Sequence, residues 1–199
     1  MALVETIKKA WFHPKEFYAG LGSADIGAAW KYYALISLVP LVLLLILFGA
    51  MGAVFVALIP GLGAVAPLLG GLFLAIPILM YIAMVILIFV AAAISHIFVY
   101  LVGGRQGYGR TFQASTYGST PGVLLGWIPL IGIIFFIWSI YTYVCGISVL
   151  HKMSMGRAFL SWLIPLIIAA VVTFAIAGAA ILTIAGLASA GAGYPYGAI

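Results

Sequence analysis

Thr111-Phe112-Gln113-Ala114-Ser115-Thr116-Tyr117-Gly118-Ser119-Thr120-Pro121-Gly122-Val123-Leu124-Leu125-Gly126 is the stretch on which the fold turns. Hydropathy alone reads it as a loop, because hydroxyls, an amide and a proline interrupt it. On either side the chain is plainly apolar, in blocks at about 34–59, 72–102, 128–149 and 158–188. Each is long enough to cross a hydrocarbon core that needs about 20 residues. Whether 111–126 also crosses decides on which side of the membrane everything after it lies.

Charge decides it. All three acids, Glu5, Glu16 and Asp25, precede the first apolar block, and eight Lys/Arg give a net charge of +5. Basic residues near span ends stay on the cytoplasmic side. If 111–126 crosses, the N-terminus, the 103–110 loop and the 150–157 turn share one side with every Lys and Arg, and the other side receives none. If it does not cross, Lys152 and Arg157 part from Arg105 and Arg110. The expected fold is therefore all-α: a polytopic membrane protein with a five-transmembrane-helix bundle at 34–190, its N-terminus cytoplasmic and a short tail, 191–199, outside. The third span is short and rich in small and hydroxylated residues, so its polar groups need partners on other helices, and it is expected to be buried. Pro121 is expected to kink it, and Gly118, Gly122 and Gly126 to let a neighbour close in.

Composition excludes much else. The chain is 67% hydrophobic and 6% charged, where soluble domains run at about 45–50% apolar and about 25% charged. Its basic residues are scattered singly, which suits anionic headgroups rather than nucleic acid. The lone Cys145 permits no intrachain disulfide. The N-terminus does not read as a cleaved signal. Instead Leu3, Ile7, Ala10 and Trp11, alternating with Glu5, Lys8 and Lys9, form an amphipathic helix pattern ended by Pro14, either lying at the interface or folded back on the bundle.

Chemical motifs are weak. Gly104 to Thr111 matches a phosphate-binding loop only if Arg110 replaces its lysine, and it follows a membrane helix in a chain with no acid beyond residue 25. His13, His96 and His151 lack the spacing of a metal site, so neither metal nor cofactor is expected. Ser95 and Ser119 beside His96 sit in no nucleophile-elbow pattern. The absence of carboxylates from the spans counts strongly against acid-relay carriers, cation-binding transporters and aspartyl proteases. No enzyme is expected. His96, with Tyr100 one turn on, is read as an interhelical histidine bonding to Gln113, Ser115 or Tyr117. Together with Ser119, Thr120 and Pro121 these residues form the expected buried polar cluster. Arg105, Tyr108, Arg110, Lys152 and Arg157 form the expected cytoplasmic interaction face, alongside Lys8, Lys9 and Lys15. Gly49 with Gly52, and Gly178 and Gly186 with their neighbours, are packing signals that allow self-association.

The pieces His13-Pro14-Lys15-Glu16-Phe17-Tyr18, Ser95-His96, Gly107-Tyr108-Gly109-Arg110-Thr111-Phe112, Tyr117-Gly118-Ser119-Thr120-Pro121, Pro129-Leu130-Ile131-Gly132 and His151-Lys152-Met153-Ser154 occur in this order. In them the chain resembles the Yip (Ypt-interacting protein) family, in a short, prokaryotic-like form. The resemblance implies a five-helix bundle with a cytoplasmic N-terminus, no catalysis and, in eukaryotic relatives, vesicle traffic through small GTPases of the Rab class and other Yip proteins. This chain lacks those relatives' long polar N-terminal region, which counts against carrying small-GTPase binding over. The expected function is a membrane-organising or protein- and lipid-interaction component, in the cell membrane if prokaryotic. Its partners would be membrane lipids, other proteins or a second copy. The alternative is a transporter or channel for a small neutral or anionic solute, with a cavity lined by Gln113, Tyr117, Ser119 and Thr120.

Overall fold

The computed structural model describes residues 2–191, and among these the chain is helical with no strand. Except for Gly191, the expected tail lies outside them. The helices are α1 (Leu3–Phe12), α2 (Pro14–Ala19), α3 (Ile26–Leu58), α4 (Ala66–Leu101), α5 (Tyr108–Gly118), α6 (Thr120–Leu125), α7 (Gly132–Leu150) and α8 (Met155–Gly191). The chain divides into two units, Met1–Trp162 and Leu163–Ile199. The second, as far as it is described, is the continuation of α8, with large apolar side chains from Leu166 to Leu187.

Four helical stretches among the described residues are long and apolar enough to cross a membrane: Ile26–Leu58, Leu62–Leu101, Gly132–Leu150 and Met155–Leu187. The expected third span is not one of them. It is two helices, of 11 and 6 residues, broken at Ser119. The cause is Pro121, which has no N–H to donate to the carbonyl four residues back and crowds it. Upstream, Pro14 does more than end a helix: it sits in the first turn of α2, where its missing N–H costs nothing. Asp25 caps α3 by accepting from the Ala28 N–H at 2.8 Å, which starts that helix eight residues before the apolar block.

The core lies where α5 and α6 meet α2, α3, α4 and α7. Phe112, Ala114, Thr116, Tyr117, Gly118 and Thr120 are buried there, with Tyr18, Tyr32, Ile36, Val99, Val144 and Ile147 around them. Contacts fix the register: His151 meets Thr111, Gly146 meets Ala114, Tyr143 meets Gly118 and Ser139 meets Gly122. α5 and α6 thus run antiparallel to α7 along most of its length. Of the packing signals, Gly52 receives the Phe73 ring of α4, whose nearest carbon would lie 3.0 Å from an added Cβ. α1 folds against the bundle, with Ala10 buried and the Trp138 indole donating to the Trp11 carbonyl at 3.0 Å.

Candidate functional site

Two loops meet at one end of the bundle. Gly104, at the start of the α4–α5 loop, is buried. A Cβ there would lie 2.9 Å from Met153 and 3.0 Å from the His151 ring, so its missing side chain lets the α7–α8 turn interlock with the loop. Gly103, at φ 103°, leaves room in the same way for the Arg157 guanidinium. Arg105 is held by the Tyr100 carbonyl at 2.9 Å and stacks over the Tyr100 ring at 3.8 Å. The Tyr108 hydroxyl donates to the Phe89 carbonyl at 2.9 Å, and Arg110 reaches the Gln113 side-chain oxygen at 3.4 Å. Lys152 closes α7 with a left-handed φ of 54° and is exposed. The five residues of the expected face therefore all belong to this pair of interlocked loops and their flanking turns. α1 does not join them: Trp11 packs on Phe135 and Trp138, and Trp138 lies about 20 Å along α7 from His151 at 1.5 Å per residue.

Beneath the loops runs a hydrogen-bond chain that the sequence did not reveal. The Gln106 amide donates to His151 Nδ1 at 3.4 Å, so the other ring nitrogen carries the hydrogen. His151 Nε2 then donates to Thr111 Oγ1 at 2.9 Å, and the Thr111 hydroxyl donates to His96 Nδ1 at 2.8 Å. His151 is 4% exposed, and burial, with His96 and Arg110 beside it, pushes its imidazolium down to about 4. His96 thus pairs with Thr111, not with Gln113, Ser115 or Tyr117 as expected. Two imidazoles alone make no metal centre, and no group of three metal-binding side chains occurs among the described residues. No local pattern pointed to Thr111, because its partners lie on α4 and beyond α7.

The polar residues of α5 and α6 mostly repair the break between them. Pro121 leaves the Tyr117 carbonyl without its helical donor, and the Thr120 hydroxyl supplies one at 2.6 Å while accepting from the Tyr32 hydroxyl at 2.8 Å. The Gly118 carbonyl takes the Thr142 hydroxyl at 2.6 Å, and the Gly122 N–H goes to Ser139 Oγ at 2.7 Å. Ser119 donates to the Thr116 carbonyl. In a lipid setting each such group left unpaired would cost several kcal/mol by order of magnitude. Tyr100 does not belong with them: it is 55% exposed, and its ring serves Arg105. Nor do Gln113, Tyr117, Ser119 and Thr120 share one cavity. Gln113 faces Ser23 and Arg110, and Thr120 faces Tyr32. Ser119 lines a cleft with Ser95, Ser115 and Ser139, whereas Tyr117 lines a separate pocket beside Lys31.

Long apolar helices around a hydrogen-bonded, kinked polar segment define an all-helical protein of the membrane-spanning class. A family model, the Yip1 domain, matches residues 8–177, and the chain belongs to that family. No curated protein and no solved structure matches the chain.

Proposed function

We propose that this Yip1-domain protein is a non-enzymatic membrane component that organises the bilayer or docks a partner through the interlocked loops. The observation that carries the reading is that Arg105 and Arg157 are seated against Tyr100 and Gly103, with Lys152 exposed beside them. Charges held in one place on a packed scaffold suit recognition of an anionic surface. Apart from the Tyr117 phenol, the hydroxyls of α5 and α6 are bonded internally, which favours a packing role over a solute path. Ser119 donates to the Thr116 carbonyl and His96 is bonded to Thr111, so these two are not poised against each other. Replacing Arg105 and Arg110 together by Gln should leave the protein inserted and folded while reducing copurifying anionic lipid or crosslinked partner. Unchanged lipid and crosslink profiles at matched expression would remove the face from consideration.

The topology proposed is five crossings, N-terminus and both basic loops cytoplasmic, with α5 and α6 together as the third. Their antiparallel course beside α7 supports this, as does the gathering of Arg105, Arg110, Lys152 and Arg157 in the two interlocked loops. From Tyr108 to Leu125 the path is about 27 Å, against a hydrocarbon thickness of about 30 Å. α1, with Val4, Lys8 and Phe12 outward, is proposed to contact the headgroup region. Leu130, 87% exposed in the α6–α7 turn, gives the decisive test. In a Cys145→Ala background a cysteine at Leu130, like one at Gly63, should label from outside, and ones at Gly107 and Ser154 only from the cytoplasm. Protection of Leu130 from outside reagent would mean that α5, α6 and α7 form a hairpin that returns without crossing.

A further inference from the structure

We propose that a pocket between the N-terminal helices and α3 holds one anionic phospholipid, its phosphate at Lys31 and its acyl chain among Leu3, Phe17, Leu21 and Leu35. The cavity measures about 480 Å³ and exists only because α1 and α2 fold over α3 and α5. It is therefore a built pocket and not a stretch of lipid-facing helix surface. Its walls are largely apolar, and besides the Thr6 and Tyr32 hydroxyls, which are bonded to the Ala2 carbonyl and to Thr120, two polar side chains line it.

The first is Lys31, which has no carboxylate within ion-pair distance among the described residues. The ion pair formed there is Lys9 with Glu5, and the Asp25 carboxylate is occupied in capping α3. The second is Tyr117, only 7% exposed, its ring against Phe17 at 5.0 Å and Tyr32 at 4.8 Å. The neighbouring Tyr32 hydroxyl is bonded to Thr120, whereas the Tyr117 hydroxyl is bonded to none of the described residues. A cation without a partner and a free phenol O–H, set in an apolar pocket, match an anionic head joined to a hydrocarbon chain. In the sequence Trp30, Lys31, Tyr32 and Tyr33 form the aromatic and basic flank of the first apolar block.

This site deepens the reading of the chain as a lipid-interacting component, and it uses none of the loop residues. The test employs the full chain in phosphatidylcholine nanodiscs doped with either a phosphatidylglycerol or a phosphatidylcholine carrying a diazirine in its acyl chain, with crosslinks mapped by peptide mass spectrometry. One lysine near an anionic headgroup is worth about 1 kcal/mol, so crosslinks on segments 3–21 and 28–35 should favour the anionic probe about fivefold. Lys31→Gln should bring that preference close to unity, and Lys31→Arg should keep it. Tyr117→Phe should lower the yield while leaving the melting temperature unchanged, since the hydroxyl it removes bonds no part of the fold. The double Gln variant at Arg105 and Arg110 should crosslink here like the parent, so failure of the loop face and failure of this pocket are separable. Equal labelling by the two probes in the parent would overturn the proposal, as would an unchanged preference in Lys31→Gln. Competition by inorganic phosphate would do the same, since it would assign the site to the free ion.

Discussion

Gly118→Leu is expected to be the most damaging single substitution in the chain. A Cβ at Gly118 would stand 2.7 Å from the Cα and 2.9 Å from the backbone nitrogen of Tyr143, so α7 itself would have to move. Backbone does not yield as a flexible side chain does, and overpacking of this kind costs about 3 kcal/mol or more. The same displacement would pull Thr142 away from the Gly118 carbonyl and leave the helix break with an unpaired oxygen. Gly122→Leu should cost less, because the nearest atom there is the Ser139 hydroxyl at 2.9 Å, on a side chain that can turn. Gly63 is the proper control: a side chain there meets nothing within 4 Å and its backbone is not left-handed, whereas Gly61 sits at φ 88° and would be strained by any substitution. Thermal melting of the three variants in one detergent should rank them Gly118, Gly122, Gly63. Equal losses at Gly118 and Gly63 would mean that α5 does not pack on α7 as described.

A second large effect is a loss of stability on mild acidification, and its source is His151. Burial holds the folded-state value at about 4, below the ordinary histidine value of 6.5. Between these two values the unfolded chain binds a proton that the folded protein refuses, so stability rises with pH through that window. It is complete above about 6.5, falls as the pH drops from there to about 4, and levels off below. The total is on the order of a few kcal/mol. The structural reason is specific. A proton on His151 Nδ1 would point at the Gln106 N–H that now donates to it, and the loop carrying Arg105 would have to lift. Melting temperature followed from pH 7.5 to 4 should show this dependence in the parent and much less of it in His151→Gln. A parent and variant with the same slope would place the acid sensitivity elsewhere.

Several features of this protein were settled by residue order alone. Long uninterrupted apolar blocks and the absence of acids after residue 25 admit only membrane-spanning helices, because no soluble core hides that much apolar surface. The run from Gly107 to Pro121 and the His151 to Ser154 turn carried the family resemblance that the Yip1 domain match bears out. Pro121 and the glycines at 118 and 122 announced a kinked segment closely approached by a neighbour, for reasons local to the backbone. What the chain order does not hold is pairing across it. Thr111 joins residues on α4 and beyond α7, Thr142 answers the Gly118 carbonyl, whose helical donor Gly122 N–H turns to Ser139, and Tyr100 turns out to serve Arg105 and not His96. Hydropathy and charge each sum over neighbours in sequence, whereas a hydrogen bond between helices depends on the rotation and depth at which they pack. The pocket beside Lys31 is of the same kind: its walls come from α1, α2, α3 and α5, and only their packing brings an unpaired lysine and a free phenol into one apolar space.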